Sequence, residues 1–365
     1  MEALRFENVY KNYGKNEAIK NLNFSCEEEE LFIILGPSGA GKTTTLKLIS
    51  GLEEVTKGKI FLKNKLVNHL EPKDRNVSMV FEDYALYPHL TVYKNISSPL
   101  EAIHLPKDEI DKKVKEIARA LQIEELLSRL PSMISGGQKQ RTVLARSLVK
   151  KANEYLMDEP IAHLDAKLRY QMRGEFKRIQ HIRKMNILYA THDFREALSL
   201  GDKVLILNKG VTQQIGTPQE IFNKPANIFV ANLLGDPPTN LIEGILKAKD
   251  GQYFFQIGDL SISLSKSLAD ELLSKINQEK LIIGIKPFDL HCHLKQKENA
   301  KILNTEVYVS EIAGHYNIIS IKLNNTIIKI REEKSFKVSL GDKISVDFKE
   351  EKLDFFDAIS GNRIF

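Results

Sequence analysis

The run GPSGAGKTT at residues 36 to 44 constrains this chain more than any other stretch. It follows the apolar segment LFIIL, residues 31 to 35, and opens onto KTTTLKLIS, which has helical composition up to Gly51, a good stop signal. Strand, glycine loop and helix in that order make a cradle: backbone N–H groups curl around phosphate oxygens and the helix start adds its positive end. The fit to G-x-x-x-x-G-K-[ST] assigns Gly36, Pro37, Ser38, Gly39, Ala40, Gly41, Lys42, Thr43 and Thr44 to the phosphates of a nucleotide. Lys42 supplies a point charge near the β and γ phosphates, and Thr43 brings a hydroxyl to Mg2+. A glycine turn without ligand is the bland alternative, and the flanking strand and helix argue against it.

A second apolar strand, EYLMD at 154 to 158, ends in Asp158 and is followed by Glu159. Acids at a strand end are often only helix caps. Beside a phosphate loop, Asp158 suits Mg2+ through water, while Glu159 suits orienting or deprotonating an attacking water; phosphoryl transfer needs positioning and charge compensation more than covalent chemistry. His192, after the strand NILYAT, is placed to contact the γ-phosphate; on its own it would read as an ordinary surface histidine.

Around these segments the texture is α/β, interrupted by a helical stretch. Between 107 and 127 the residues Ile110, Val114, Ile117, Leu121 and Ile123 or Leu126 mark one apolar face. A helical subdomain over about 86–150 therefore interrupts an α/β domain at 1–235, in which Leu164, Leu168, Met172, Phe176 and Ile179 stripe a further helix. GDPPTN, with its adjacent prolines, reads as the linker. From 236 to 365 short alternating segments such as SISLS, KLIIGIK and YNIISIKL predict an all-β domain, a small barrel. Cys26 and Cys292 lie far apart and suggest neither a disulfide framework nor a zinc site. No run approaches the roughly 20 apolar residues of a membrane span. The net charge of +5, from 53 basic and 48 acidic residues, is dispersed and does not mark a nucleic-acid surface.

One motif remains: ISGGQ at 134 to 138, a second glycine pair opening a second helix. Taken with the phosphate loop, the acids after EYLM, Leu164-Asp165 and His192, it gives a pattern that resembles the ATP-binding subunits of ABC transporters over residues 1 to about 235. That family packs two such domains head to tail, with the signature of one closing over ATP held by the Walker A loop of the other. The resemblance implies that Ser135, Gly136, Gly137 and Gln138 meet the γ-phosphate in trans, joined by Asp165 of the D-loop. It also places Tyr13 at the adenine-stacking aromatic, a position equally suited to core packing, and residues 84 to 96 at the segment that receives the membrane subunit. Glu82 stands where the family has its Q-loop glutamine. As a ligand near Mg2+ it would add negative charge to an anionic cluster unless the metal or a proton compensates.

The long β tail, DEPIAHLDAKLR and GIKPFDL look like the carbohydrate-importer subfamily, whose tail folds as OB-like elements and helps two subunits dimerise. The resemblance implies ATP hydrolysis coupled to uptake of sugars, glycerol or glycerol 3-phosphate, with polyamine or ferric-iron import as the alternative and a non-transport ABC ATPase a further one. The implied partners are a second ATPase subunit, two transmembrane permease subunits and, through the complex, an extracytoplasmic solute-binding protein. A homodimer fits best because one chain holds both halves of a site; the Glu82 departure leaves a heterodimer open. Such a chain works at the cytoplasmic face of the membrane.

Overall fold

Leu31–Leu35 is buried at every position and sits inside a six-stranded sheet. The strand order is Val211–Gly216, Lys203–Asn208, Leu31–Leu35, Ile187–Thr191, Glu154–Asp158 and Val77–Val80. All neighbours run parallel except Val211–Gly216, which returns antiparallel along Lys203–Asn208. Strands of a parallel sheet covered on both faces read as continuous apolar runs, which is why LFIIL, EYLMD and ILYAT carry no alternation. In register, Leu35 lies opposite Thr191 and Ile206, and Asp158 opposite Ala190. The loops after Leu35, Asp158 and Thr191 thus leave from one edge, the carboxyl edge where open α/β sheets bind ligands.

The computed structural model describes all residues except 82–85, 163, 259, 277–278, 295–300 and 325, and leaves out the side chains of 303 and 304. The described chain divides into two compact units, Met1–Gln219 and Glu220–Phe365. In the first, an antiparallel sheet of Asn16–Glu27, Glu2–Tyr13, Lys57–Leu62 and Lys65–Leu66 packs on the parallel sheet through stacked rings, Phe6 on Phe24 at 4.6 Å and Phe24 on Phe32 at 5.2 Å. Helix Lys42–Ser50 buries Leu46, Leu48 and Ile49 in the same core. The helical part consists of Val92–Glu101, Lys107–Ala120 and Gly136–Leu148. Its expected apolar face is buried: Ile110, Val114, Ile117, Leu121, Ile123 and Leu126. Helix Ala166–Arg183 starts two residues later than the stripe suggested, because Asp165 caps it and leaves the buried Leu164 in the preceding loop.

The second unit holds two five-stranded sheets that share one core, centred on Phe255, Leu281, Ile319, Ile330, Val346 and Phe355. A helix the sequence reading did not foresee, Lys266–Lys275, covers this β unit with Ala269 and Leu272. The division between units also falls before the expected linker. Ile228 donates its N–H to Gly361 O at 2.9 Å and Arg363 donates to Ala226 O at 2.9 Å, so residues just ahead of the proline pair are paired into the second unit. No helix among the described residues is long and apolar enough to cross a membrane.

Candidate functional site

The glycine loop is shaped by what surrounds it. A Cβ at Gly36 would lie 2.3 Å from Leu207 O, a backbone atom that cannot swing aside, so only glycine lets the strand end pass under its neighbour. Gly41 has φ 107, a left-handed conformation open to glycine, and it starts helix Lys42–Ser50 without any side-chain cap. The first-turn N–H groups of that helix therefore have no side-chain partner and point out of its positive end. Residues 39–44 floor a cleft of about 520 Å3 whose rim carries Tyr13, Lys20 and Lys209.

Lys42 is buried, at 6% exposure, and its ammonium donates to Gly36 O at 2.9 Å and Pro37 O at 3.1 Å. Across the loop it stands 3.7 Å from Glu159 Oε1. The other carboxylate oxygen, Oε2, lies 2.8 Å from His192 Nδ1. A carboxylate in its ionised form can only accept, and with that form Nδ1 is the donor of the contact. Glu159 adopts φ 46, sparsely populated for a residue with a side chain, while its N–H is held by Ala190 O at 3.0 Å. Strain of this kind costs on the order of 1 kcal/mol and persists only where the surroundings impose it. It places the carboxylate between a cation and an imidazole. Asp158, one residue earlier, is buried at 3% exposure.

The other expected residues fall into four groups. Ser135 caps helix Gly136–Leu148 in a complete capping box: its Oγ accepts from Gln138 N at 3.4 Å, and its own N–H donates to Gln138 Oε1 at 2.9 Å. A Cβ at Gly137 would lie 3.1 Å from Leu164 Cδ2, whereas one at Gly136 would meet nothing within 4 Å. Asp165 is the exposed cap of the next helix, accepting from Leu168 N at 2.9 Å. Tyr13 is 41% exposed at the cleft rim, with Lys11 Nζ 4.8 Å from its ring centroid and Glu53 2.8 Å beyond on that ammonium. Partial burial, then the Glu53 charge, raises its phenol above the usual tyrosine value. Glu82 lies outside the described residues.

Sequence reasoning passed over Arg169, which stands in the quoted DAKLR without a role, and Lys209 on the cleft rim. Their only signal was position: Arg169 four residues after Asp165, and Lys209 at the turn that ends the strand KVLILN. Gly210 of that turn donates to Ala40 O and accepts from Lys20 N, both at 2.9 Å, tying the glycine loop to the antiparallel sheet.

A family model described as ABC transporter matches residues 19–162. The trehalose/maltose import ATP-binding protein of Thermococcus litoralis is 39% identical over 376 residues, covering 100% of both chains. This chain belongs to the ABC transporter family. The oligosaccharides import ATP-binding protein of Bacillus subtilis is 39% identical with 100% of each chain covered, and the sn-glycerol-3-phosphate import ATP-binding protein of Cupriavidus metallidurans 37% identical with 100% of this chain and 99% of its own. Among solved structures, a dimeric ATP-binding cassette in a post-hydrolysis state with ADP and Pi aligns at a TM-score of 0.55 and 28% identity, covering 59% of this chain and 98% of its own. This ABC chain is an ATP-binding and ATP-hydrolysing subunit.

Proposed function

We propose that this subunit energises solute import, hydrolysing ATP between two head-to-tail copies that sit on the cytoplasmic face of membrane permease subunits. The observation that carries the reading is the Lys42–Glu159–His192 constellation at the mouth of the glycine loop. Lys42 compensates phosphate charge. Glu159 accepts from, and so orients, the attacking water, and His192 steadies that carboxylate and has its second nitrogen left to address the γ-phosphate. The Thr43 hydroxyl on the exposed first turn and the buried Asp158 carboxylate are hard oxygen donors of the kind Mg2+ takes, so these two residues would hold the ion. When bound, it would neutralise β- and γ-phosphate charge.

The other half of each site comes from the signature helix. The Ser135 hydroxyl accepts from Gln138 and keeps its own hydrogen to donate, so Ser135, Gly137 and the helix start can address a phosphate of the second copy, beside Asp165. Permease docking belongs to the segment just after residue 85. There Asn95, fully buried, accepts from Tyr87 N at 2.8 Å and donates to Tyr87 O and Leu90 O, holding out the half-exposed Tyr87. The solute class is sugars or glycerol 3-phosphate, supported by the names of relatives that match along the whole chain.

Two experiments test this. Glu159→Gln retains ATP binding and loses about 10²- to 10⁴-fold in turnover, the range for a lost general base; unchanged steady-state hydrolysis would reject the assignment. In proteoliposomes carrying the copurified permease subunits and a binding protein, ATPase activity rises with an oligosaccharide or glycerol 3-phosphate. Stimulation by a polyamine or ferric iron alone assigns the importer to that class instead.

A further inference from the structure

Arg169 stands in the first turn of helix Ala166–Arg183, behind the Asp165 cap, where a cation opposes the helix dipole. Its guanidinium folds back over the loop that precedes the helix: Nη2 donates to Ala162 O at 2.8 Å and Leu164 O at 3.1 Å. Nη1 lies 3.7 Å from Asp193 Oδ2, and both side chains are largely shielded from solvent.

Asp193 is the neighbour of His192. Its other carboxylate oxygen accepts from Arg195 N at 2.8 Å, and its own N–H donates to Thr191 Oγ1 at 3.0 Å. Thr191 in turn donates to the buried Glu196 Oε2 at 2.8 Å, which also accepts from Tyr189 OH at 2.9 Å. The backbone on both sides of His192 is thereby fixed. Leu164, whose carbonyl the guanidinium holds, has its Cδ2 3.1 Å from where a Cβ of Gly137 would lie. One planar fork fastens the loop under the signature helix to the loop that carries the histidine.

We propose that Arg169 is a positioning residue for hydrolysis, locking Ala162 and Leu164 and the 191–193 loop into one frame that keeps His192 on Glu159 and Leu164 under Gly137. Arginine suits the position because one nitrogen of its rigid fork donates to two carbonyls while another stands 3.7 Å from the Asp193 carboxylate as an ion pair, an arrangement that a lysine ammonium on a flexible stem does not reproduce. The proposal rests on the reading that Glu159 and His192 serve the attacking water.

The test uses the full-length chain, with steady-state ATPase, binding of a fluorescent ATP analogue and thermal melting measured together. R169Q lowers kcat at least about tenfold, equivalent to 1.4 kcal/mol, while the nucleotide Kd stays within about twofold of wild type; R169K recovers only part of the rate. D193N lowers kcat as well, because asparagine caps a helix as effectively as aspartate and only the pull on the guanidinium is lost. In the R169Q background D193N adds nothing further. A kcat within about twofold of wild type for R169Q, a rate loss matched by an equal loss of nucleotide affinity, or additive effects of the two substitutions overturns the proposal. Should R169Q not fold, D193N decides alone by the same kcat criterion. E159Q separates the two ideas: normal turnover in E159Q with a slow R169Q rejects the water-handling role of Glu159 and leaves the loop coupling standing, whereas a dead E159Q with a normal R169Q rejects Arg169 only.

Discussion

The two glycine-rich helix starts of the first unit solve opposite problems. Helix Lys42–Ser50 begins at a left-handed Gly41 with no side-chain cap, whereas helix Gly136–Leu148 begins at Ser135 with both halves of a capping box in place. The first keeps its orphan N–H groups for a ligand and is packed tightly underneath, where Gly36 presses on Leu207 and Gly41 on Ile19. The second satisfies itself and is bare on top, with open space around Gly136. A helix that must hold phosphate within its own chain leaves its donors unspent. A helix that must be stable before it meets anything caps itself and keeps its outer face thin.

The largest expected effect breaks the first half of this contrast. Lys42→Ala removes a charge-assisted contact that contributes about 1.5–3 kcal/mol, so ATP affinity in a titration falls about 10- to 100-fold and hydrolysis is abolished. Next, Gly36→Ala forces a Cβ against backbone and costs about 1–3 kcal/mol, read as a lowered melting temperature with or without nucleotide. A melting point equal to wild type would mean the loop floor is not as tight as its geometry. Ser135→Ala costs about 1 kcal/mol of stability and reduces dimer ATPase while leaving nucleotide affinity of the monomer unchanged; a fall in monomer affinity would make both helix starts serve one site. The smallest and sharpest test is Gly136→Ala. By restricting the unfolded chain it stabilises the fold by about 0.4–1 kcal/mol, raising the melting temperature slightly, and slows the dimer; faster or equal turnover shows that the thin face is not needed.

Much of this was legible because it is local. LFIIL, GPSGAGKT and KTTTLKLIS specify strand, loop and helix within neighbouring residues, and the capping box is written in the S-x-x-Q spacing of Ser135 and Gln138. The misses share a physical reason. Strand Val211–Gly216 shows no clean alternation because its residues are half buried, and it gains its place from Lys203–Asn208 beside it. Helix Lys266–Lys275 carries a helical period at Leu268, Ala269, Leu272 and Leu273, but over only ten residues between strands, where a single repeat of the pattern is easily passed over. The unit boundary depends on residues 226–228 meeting 361–363, a pairing invisible from either segment alone. Arg169 was in view, but its meaning comes from a carboxylate on another strand's loop.

Parallel pairing of Leu31–Leu35 with Ile187–Thr191 has a consequence in time as well as in space. The two strands come from opposite ends of the first unit, and contacts between distant segments carry a loop-closure cost that delays them during folding. A chain that has been synthesised through the glycine loop holds every residue of GPSGAGKT, yet it lacks the neighbouring strand that supports Gly36 and the one that presents Glu159. The nucleotide can therefore reward only a finished domain, since a ligand stabilises the state that binds it. During biogenesis, ATP therefore stabilises only chains in which these two distant strands have already paired.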